Sequence, residues 1–293
     1  MKAVPFVYRR AASVAEACAW RTEDPDAVLI AGGQTLMPML AMRLVRPSQV
    51  IDIGRIVELD HIRVEKDHVL LGATTRQDAA ERSRIVAEAL PLLARALPWI
   101  GHPPTRRRGT IGGSIANADP AAEIALVAVA SGAEILIAGA VDGRDALSAA
   151  EFFLAPMVTA LPPGAMVTGL RFPRAKPRHS GTGFAEIARR QGDFALAAVA
   201  VSLTLDDEGG LADIALAIGG ATPVPTRLAL DALIGEPPAG RRVGDAVADG
   251  IARLEMMSDG HASATYRRRA AERLAQTAIA MAAAEVGARE GGR

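Results

Sequence analysis

Two glycine-pair turns of similar composition, both in the first half of the chain, constrain its fold more than any other feature of the sequence. Ala31-Gly-Gly-Gln-Thr35 and Thr110-Ile-Gly-Gly-Ser114 each set adjacent glycines beside a hydroxyl residue. Glycine reaches positive φ without a Cβ penalty and lets backbone approach a ligand closely. Successive N–H groups in such a turn form a concave anion site, to which Gln, Ser and Thr side chains add donors. Taken singly, each turn reads as an ordinary tight turn in a chain with 28 glycines. Two together suit the two phosphoryl groups of a diphosphate. Neither has the G-x-G-x-x-G spacing, which excludes the usual doubly wound nicotinamide dehydrogenase. The chain has no Gly-Lys-Ser/Thr, which excludes a P-loop.

The residues around the first turn read as a small βαβ unit. Ser13–Trp20 has helical spacing, with Ser13 as N-cap and Glu16 completing a capping box. Ala27–Ile30 is an apolar run suited to a buried strand, Thr35–Leu44 looks helical, and Gln49–Ile53 reads as a second strand. After Gly54, His61–Val64 and His68–Gly72 form a hairpin. Thr75 caps a helix starting at Arg76, Glu88–Leu97 forms another, and Gly101–Gly109 is a loop rich in Pro and Arg. Ile111–Ile115 reads as a strand, Ala121–Ser131 as a buried helix, and Ala133–Ile137 and Met166–Phe172 as strands.

The polar, proline-bounded stretch Pro173–Gly181 marks a domain boundary. It divides the chain into 1–175, with subdomains of about 1–56 and 57–175, and 178–293. The second unit holds strands at Thr182–Ala188, Ala195–Leu205 and Leu211–Ile218, the last two joined through the turn Asp206–Gly210. Helices follow at Val243–Arg253 and Ala264–Val286. The expected class is α+β, the smaller domain carrying a three-stranded antiparallel sheet and helices.

Composition narrows the function classes. Half of the 293 residues are apolar, aromatics are 3%, and the formal net charge is zero. Small aliphatic side chains must therefore fill the cores of what the length suggests are two domains. Balanced charge gives no electrostatic reason to expect nucleic acid or an anionic membrane. The longest obvious apolar run, Ile124–Ala130, falls short of the ~18 residues that cross a bilayer. The opening Met-Lys-Ala-Val-Pro-Phe turns polar at once and offers no signal-peptide core, so a cytoplasmic chain is expected. The single cysteine, Cys18, cannot form an intrachain disulfide or ligate a cluster or structural zinc alone. The five histidines are scattered with no HExxH pattern. No metal ligand is expected here, and redox chemistry requires an organic cofactor or a metal on another chain.

Longer motifs carry a resemblance. Ala31 to Pro47 followed by Ile51-Asp-Ile53, and Arg108-Gly-Thr-Ile-Gly-Gly-Ser-Ile-Ala-Asn-Ala-Asp-Pro-Ala-Ala-Glu123, resemble the FAD-binding medium subunits of the xanthine dehydrogenase/carbon monoxide dehydrogenase (molybdenum hydroxylase) family. Arg189-Arg-Gln-Gly-Asp-Phe-Ala195, Ala217-Ile-Gly-Gly-Ala221 and the segment from Ser258 to Arg267 match in the same order, so the likeness covers essentially the whole chain. It implies a two-subdomain FAD-binding domain of the vanillyl-alcohol-oxidase type, then a smaller α+β domain. It further implies that Ala31, Gly32, Gly33, Gln34 and Thr35, with Thr110, Ile111, Gly112, Gly113 and Ser114, wrap the FAD diphosphate and ribityl chain. Glu123 stands where Asp usually accepts hydrogen bonds from FAD hydroxyls, and Phe194 matches an aromatic near the isoalloxazine ring. Molybdenum-pterin and [2Fe-2S] clusters are then expected on a large and a small partner subunit, in a dimer of heterotrimers. Electrons would run from the clusters through FAD to a terminal acceptor.

Some positions depart from the family: Ser114 replaces a usual Asn, Asn117 a frequent His, Arg107 a common Asn and Ile187 a frequent Lys. Asp119 before Pro120 suits a helix start whose first N–H groups it accepts, with cofactor contact as a second role. The triplets Arg106-Arg-Arg108 and Arg267-Arg-Arg269 read as solvated faces or partner-docking patches, and His102 as an incidental loop residue. No catalytic residue is assigned. Two other classes stay open: a self-sufficient FAD oxidoreductase, and a non-redox nucleotide-binding scaffold.

Overall fold

The structure is a computed structural model that describes residues 2–140, 143–175 and 179–290. Residues 176–178, at the expected domain boundary, lie outside the described residues.

The N-terminal unit is a three-stranded parallel sheet of β1 (Val7–Arg10), β2 (Val28–Ile30) and β3 (Gln49–Asp52), in the order β1-β3-β2. Helix α1 (Val14–Glu23) joins the first two strands and α2 (Leu36–Ala41) the second and third. Half of the expected capping box forms: Ser13 Oγ accepts the Glu16 N–H at 3.2 Å, but the Glu16 carboxylate accepts the N–H of Ala12, at 2.6 Å, rather than that of the N-cap Ser13. Strand β1 was not legible, because Val7 and Tyr8 are exposed and leave no buried alternation.

The next unit is a five-stranded antiparallel sheet ordered β4-β5-β10-β6-β7. Its strands are β4 (Ile62–Val64), β5 (His68–Gly72), β6 (Glu134–Ala138), β7 (Ala146–Ser148) and β10 (Met166–Pro173), while β8 (Phe153–Ala155) and β9 (Val158–Thr159) make a separate small hairpin. Between β5 and β6 lie α3 (Gln77–Glu81), α4 (Arg84–Ala89), α5 (Pro91–Ala96), α6 (Pro103–Arg108), α7 (Ile111–Asn117) and α8 (Glu123–Ala130); α9 (Ala149–Phe152) follows β7.

Four local expectations change here. The helix expected to start at Arg76 with Thr75 as its cap starts at Gln77 with Arg76 before it, and the Thr75 hydroxyl donates to the His61 carbonyl instead. The helix expected over Glu88–Leu97 is two, because Pro91 lacks an N–H and starts a new helix at its N1 position. The loop Gly101–Gly109 contains α6, which also begins on prolines. The strand expected at Ile111–Ile115 is α7 instead: Thr110 caps it, and Ile111 and Ile115 fall on one buried face at helical spacing. Two glycines in its first turn disguise it, since glycine is a poor helix former.

The C-terminal unit is an antiparallel sheet of β11 (Ser180–Ile187), β12 (Ala197–Leu205), β13 (Leu211–Gly219) and β14 (Thr226–Arg227), with α10 (Arg241–Ala252) and α11 (Ala264–Glu290). All three expected strands form. The two-residue β14, following Pro223 and Pro225, extends the sheet and is too short to show a period. Both faces of this sheet are buried. Along β12, Ala198 and Ala200 face the core shared with α8, whereas Val199, Val201 and Leu203 join the core under α10 and α11. Every residue of α8 is buried, which explains an apolar helix without a polar stripe. Helix α11 lies on β11 where Gly181 and Gly183 leave room: a Cβ at either would overlap the carbonyl oxygen of Ala282 or Ala278. Among the described residues no helix is long and apolar enough to cross a membrane.

Candidate functional site

The first glycine turn links β2 to α2. Gly33 has φ +70°, and a Cβ on Gly32 would overlap the carbonyl oxygen of Arg108. The turn therefore rests directly on the backbone that leads into the second turn. The N–H groups of Gly32, Gly33, Gln34 and Thr35 have no acceptor among the described residues, so this turn offers consecutive free donors.

The second turn differs. Thr110 Oγ1 accepts the Gly113 N–H at 3.1 Å, the Ser114 N–H goes to the Thr110 carbonyl, and the Gly112 and Ile111 N–H groups donate to the carbonyls of Ala73 and Thr75. Its donors are engaged within the protein. Instead of a second ring of free N–H groups, it supplies a smooth wall that glycines make narrow: a Cβ on Gly112 would lie 2.5 Å from that of Ala73. Ile111 is fully buried beneath this wall and anchors α7.

Both turns open on one cleft of about 700 Å³, within the usual range of small-molecule sites. Ala31 to Thr35, Thr110, Gly112 to Ser114, Asp119, Glu123 and Phe194 all line it. Phe194 reaches it from the connection between β11 and β12 and is 76% exposed at the mouth. Asp119 Oδ1 accepts the Ala121 N–H at 2.9 Å, so it closes the turn before α8 while also facing the cleft. Ala118, just before it, is held in the left-handed region at φ 49°.

Several lining residues carried no sequence signal, among them Gln77, Thr105 and Thr159. Gln77 belongs to no motif, yet its buried Oε1 has no hydrogen-bond partner among the described residues. A buried acceptor left open at a cleft wall is costly unless a ligand or water supplies a donor.

Glu123 sits in the first turn of α8. Burial pushes its carboxyl up to about 7; its own N–H opposes the shift, Asp119 adds to it and Arg106 opposes it. Glu186, on β11, is pushed up to about 8, first by burial and then by the Glu123 charge. Its Oε2 has no hydrogen-bond partner among the described residues.

The arginine triplets are not uniform surface patches. Arg106 is buried and binds Glu81 at 2.7 and 3.2 Å and the carbonyls of Ile100 and Gly101 at 2.9 and 3.1 Å. Arg267 is buried and binds the carbonyls of Leu196 and Gly220, both at 2.7 Å, and Asp259 at 2.6 Å. Arg268 donates to the carbonyls of Ile251 and Leu254. These are internal braces; Arg107, Arg108 and Arg269 remain exposed.

The cleft fits an elongated dinucleotide. It offers free N–H donors at one turn, a glycine-narrowed wall, an orphaned buried acceptor, a carboxyl able to accept from hydroxyls, and an aromatic at the mouth. Residues 4–175 match the family model described as the FAD binding domain in molybdopterin dehydrogenase, and residues 182–282 match the CO dehydrogenase flavoprotein C-terminal domain. The nicotine 6-hydroxylase medium subunit of Paenarthrobacter nicotinovorans is 37% identical over 97% of this chain and 99% of its own length. The caffeine dehydrogenase subunit beta of a Pseudomonas species is 34% identical over 97% of this chain and 96% of its own. The solved carbon monoxide dehydrogenase of Hydrogenophaga pseudoflava contains a chain that superposes with a TM-score of 0.92 at 34% identity, covering 97% of this chain and 99% of that one.

Proposed function

The chain belongs to the family of FAD-binding medium subunits of molybdenum hydroxylases, and from that premise we propose that it carries electrons from [2Fe-2S] clusters on a small partner subunit, through FAD, to a terminal acceptor. The observation that carries this reading is the convergence of both glycine turns, Glu123 and Phe194 on one cleft. FAD, when bound, exchanges electrons singly on one side and in pairs on the other, which suits such a junction.

The chain's own residues divide the work. Gly32, Gly33, Gln34 and Thr35, continuing from Ala31, hold the diphosphate with backbone N–H groups. Thr110, Gly112, Gly113 and Ser114 form the wall along the ribityl chain, with Ile111 anchoring that wall from below. Asp119 and Glu123 accept hydrogen bonds from hydroxyls, and Phe194 lies against the ring. The cofactor-holding part is 1–175, in subdomains of about 1–56 and 57–175, and the C-terminal part is 178–293; the family matches and the separate core under α10 and α11 support this division.

Molybdenum-pterin belongs on a large partner subunit, and the assembly is a dimer of heterotrimers in the cytoplasm. Relatives named for nicotine and caffeine align along nearly the whole chain, which supports substrate choice lying outside it. The test is purification from the native host. Flavin absorbance with iron–sulfur absorbance and two co-purifying subunits is the expected result. Flavin with a single chain able to turn over substrate would replace it with a self-sufficient oxidoreductase, and a colourless single chain would leave a scaffold.

A further inference from the structure

The connection from Arg189 to Leu196, which brings Phe194 to the cleft, is fixed at its base. The Leu196 N–H donates to the Ile187 carbonyl at 2.8 Å, and Arg267 binds the Leu196 carbonyl at 2.7 Å. Nearer the tip, the Asp193 N–H closes a turn on the Arg190 carbonyl at 3.1 Å.

The tip itself rests on another part of the protein. Gly192 has φ +87°, and a Cβ there would lie 2.5 Å from Cε1 of His102, 2.8 Å from Nδ1 and 2.9 Å from Nε2. Both nitrogens are only slightly farther than the carbon between them. An approach in the ring plane would leave them much farther away, so Gly192 comes down on the ring face. Only glycine meets both demands, a left-handed backbone and van der Waals contact with a flat ring.

The main chain of His102 is held firmly, while its ring is exposed to solvent on the side away from Gly192. His102 is the N-cap residue of α6, and its carbonyl accepts the N–H groups of Thr105 at 2.8 Å and Arg106 at 3.2 Å. The buried Arg106 guanidinium clamps the two preceding carbonyls. Its neighbours Gly101 and Thr105 line the cleft, and the same segment runs on through α6 into the second glycine turn.

We propose that His102 is a positioning residue: its imidazole face is the stop against which Gly192 rests, and it thereby sets how far Phe194 covers the cleft mouth and shields the ring bound there. The shielding part rests on the reading that the cleft holds FAD with its ring beside Phe194.

The test uses the full-length chain and the exposed Arg189 and Arg190 as tryptic sites. With His102→Ala, cleavage at these sites accelerates about fivefold while cleavage elsewhere is unchanged, because proteolysis tracks the population of the opened segment. His102→Phe keeps a flat ring and restores the slow rate. Cleavage at wild-type rate in His102→Ala, or equal acceleration at all sites, overturns the proposal. With FAD bound, iodide quenching of flavin fluorescence also rises in His102→Ala and returns in His102→Phe; unchanged quenching overturns the shielding. Cleavage does not require flavin. A wild-type chain that binds no FAD therefore sinks the cofactor reading, while the cleavage series still decides for or against His102.

Discussion

The charge of Glu123, at the head of α8, raises the carboxyl of Glu186, on the first strand of the C-terminal sheet. Both carboxyl groups are pushed up, chiefly by burial, to about 8 and about 7 from an ordinary 4.5. The folded state then binds more protons than the unfolded chain between these values. Stability of the FAD-free chain is fully present below about 4.5 and falls as pH rises through 7 and 8, by about 2 kcal/mol or more. Urea denaturation across this range checks it. Glu186→Gln should flatten the upper part of the fall and make the protein more stable than wild type at pH 9; an unchanged profile refutes the coupling.

The proposed hydroxyl donors of FAD would favour ionised Glu123, so binding would release a proton from a group near 7 in the free protein. Affinity should rise with pH up to about 7 and level off above it. Glu123→Gln should abolish the slope, and Glu123→Ala should weaken binding by about 1.5–3 kcal/mol, as for loss of a hydrogen bond to a charged group. Fluorescence titration at several pH values measures both, and affinity independent of pH would count against the assigned contact.

Gly32→Ala places a methyl group on the Arg108 carbonyl. Because the obstacle is backbone, both turns must separate. The expected cost is about 1–3 kcal/mol, with loss of bound FAD. Thermal melting and flavin content of the purified variant report the two effects, and a variant that keeps both would mean that the turns are not in contact.

Arg106→Met leaves Glu81 without its partner and frees the carbonyls of Ile100 and Gly101. A loss of about 3 kcal/mol is expected, with part recovered in Arg106→Met/Glu81→Gln. Denaturant unfolding of the two variants tests this. A single variant as stable as wild type would place Arg106 among the solvated arginines.

The sequence was most legible where one periodicity or one motif acts alone. The strands of the C-terminal sheet, the N-cap at Ser13 and the buried helix after Pro120 were readable in this way. Legibility failed where glycine or proline does two jobs. Gly112 and Gly113 read as a turn, yet they start a helix whose wall must be narrow. Proline reads as a loop in Pro103-Pro104 although it opens α6. The glycine pairs pointed to the site, but not to which of them keeps its N–H groups free; that depends on pairing with Ala73 and Thr75, far away in the chain. Gln77 reaches the cleft wall and His102 the underside of Gly192 only in the folded chain, so no local pattern marks them.

The seat of α11 on Gly181 and Gly183 gives this protein an inverted mutational profile. The helix sets Ala282 and Ala278 against these glycines, both fully buried. At these two alanines there is almost no side chain to lose, and Val286, beside Gly181, is the nearest larger one, so truncation injures this seam less than most of the core. Its danger is growth: one added methyl at either glycine meets a main-chain oxygen that no rotamer change can move. Substitution in this chain can therefore reshape the exposed mouth at Phe194 far more readily than the glycine positions under α11.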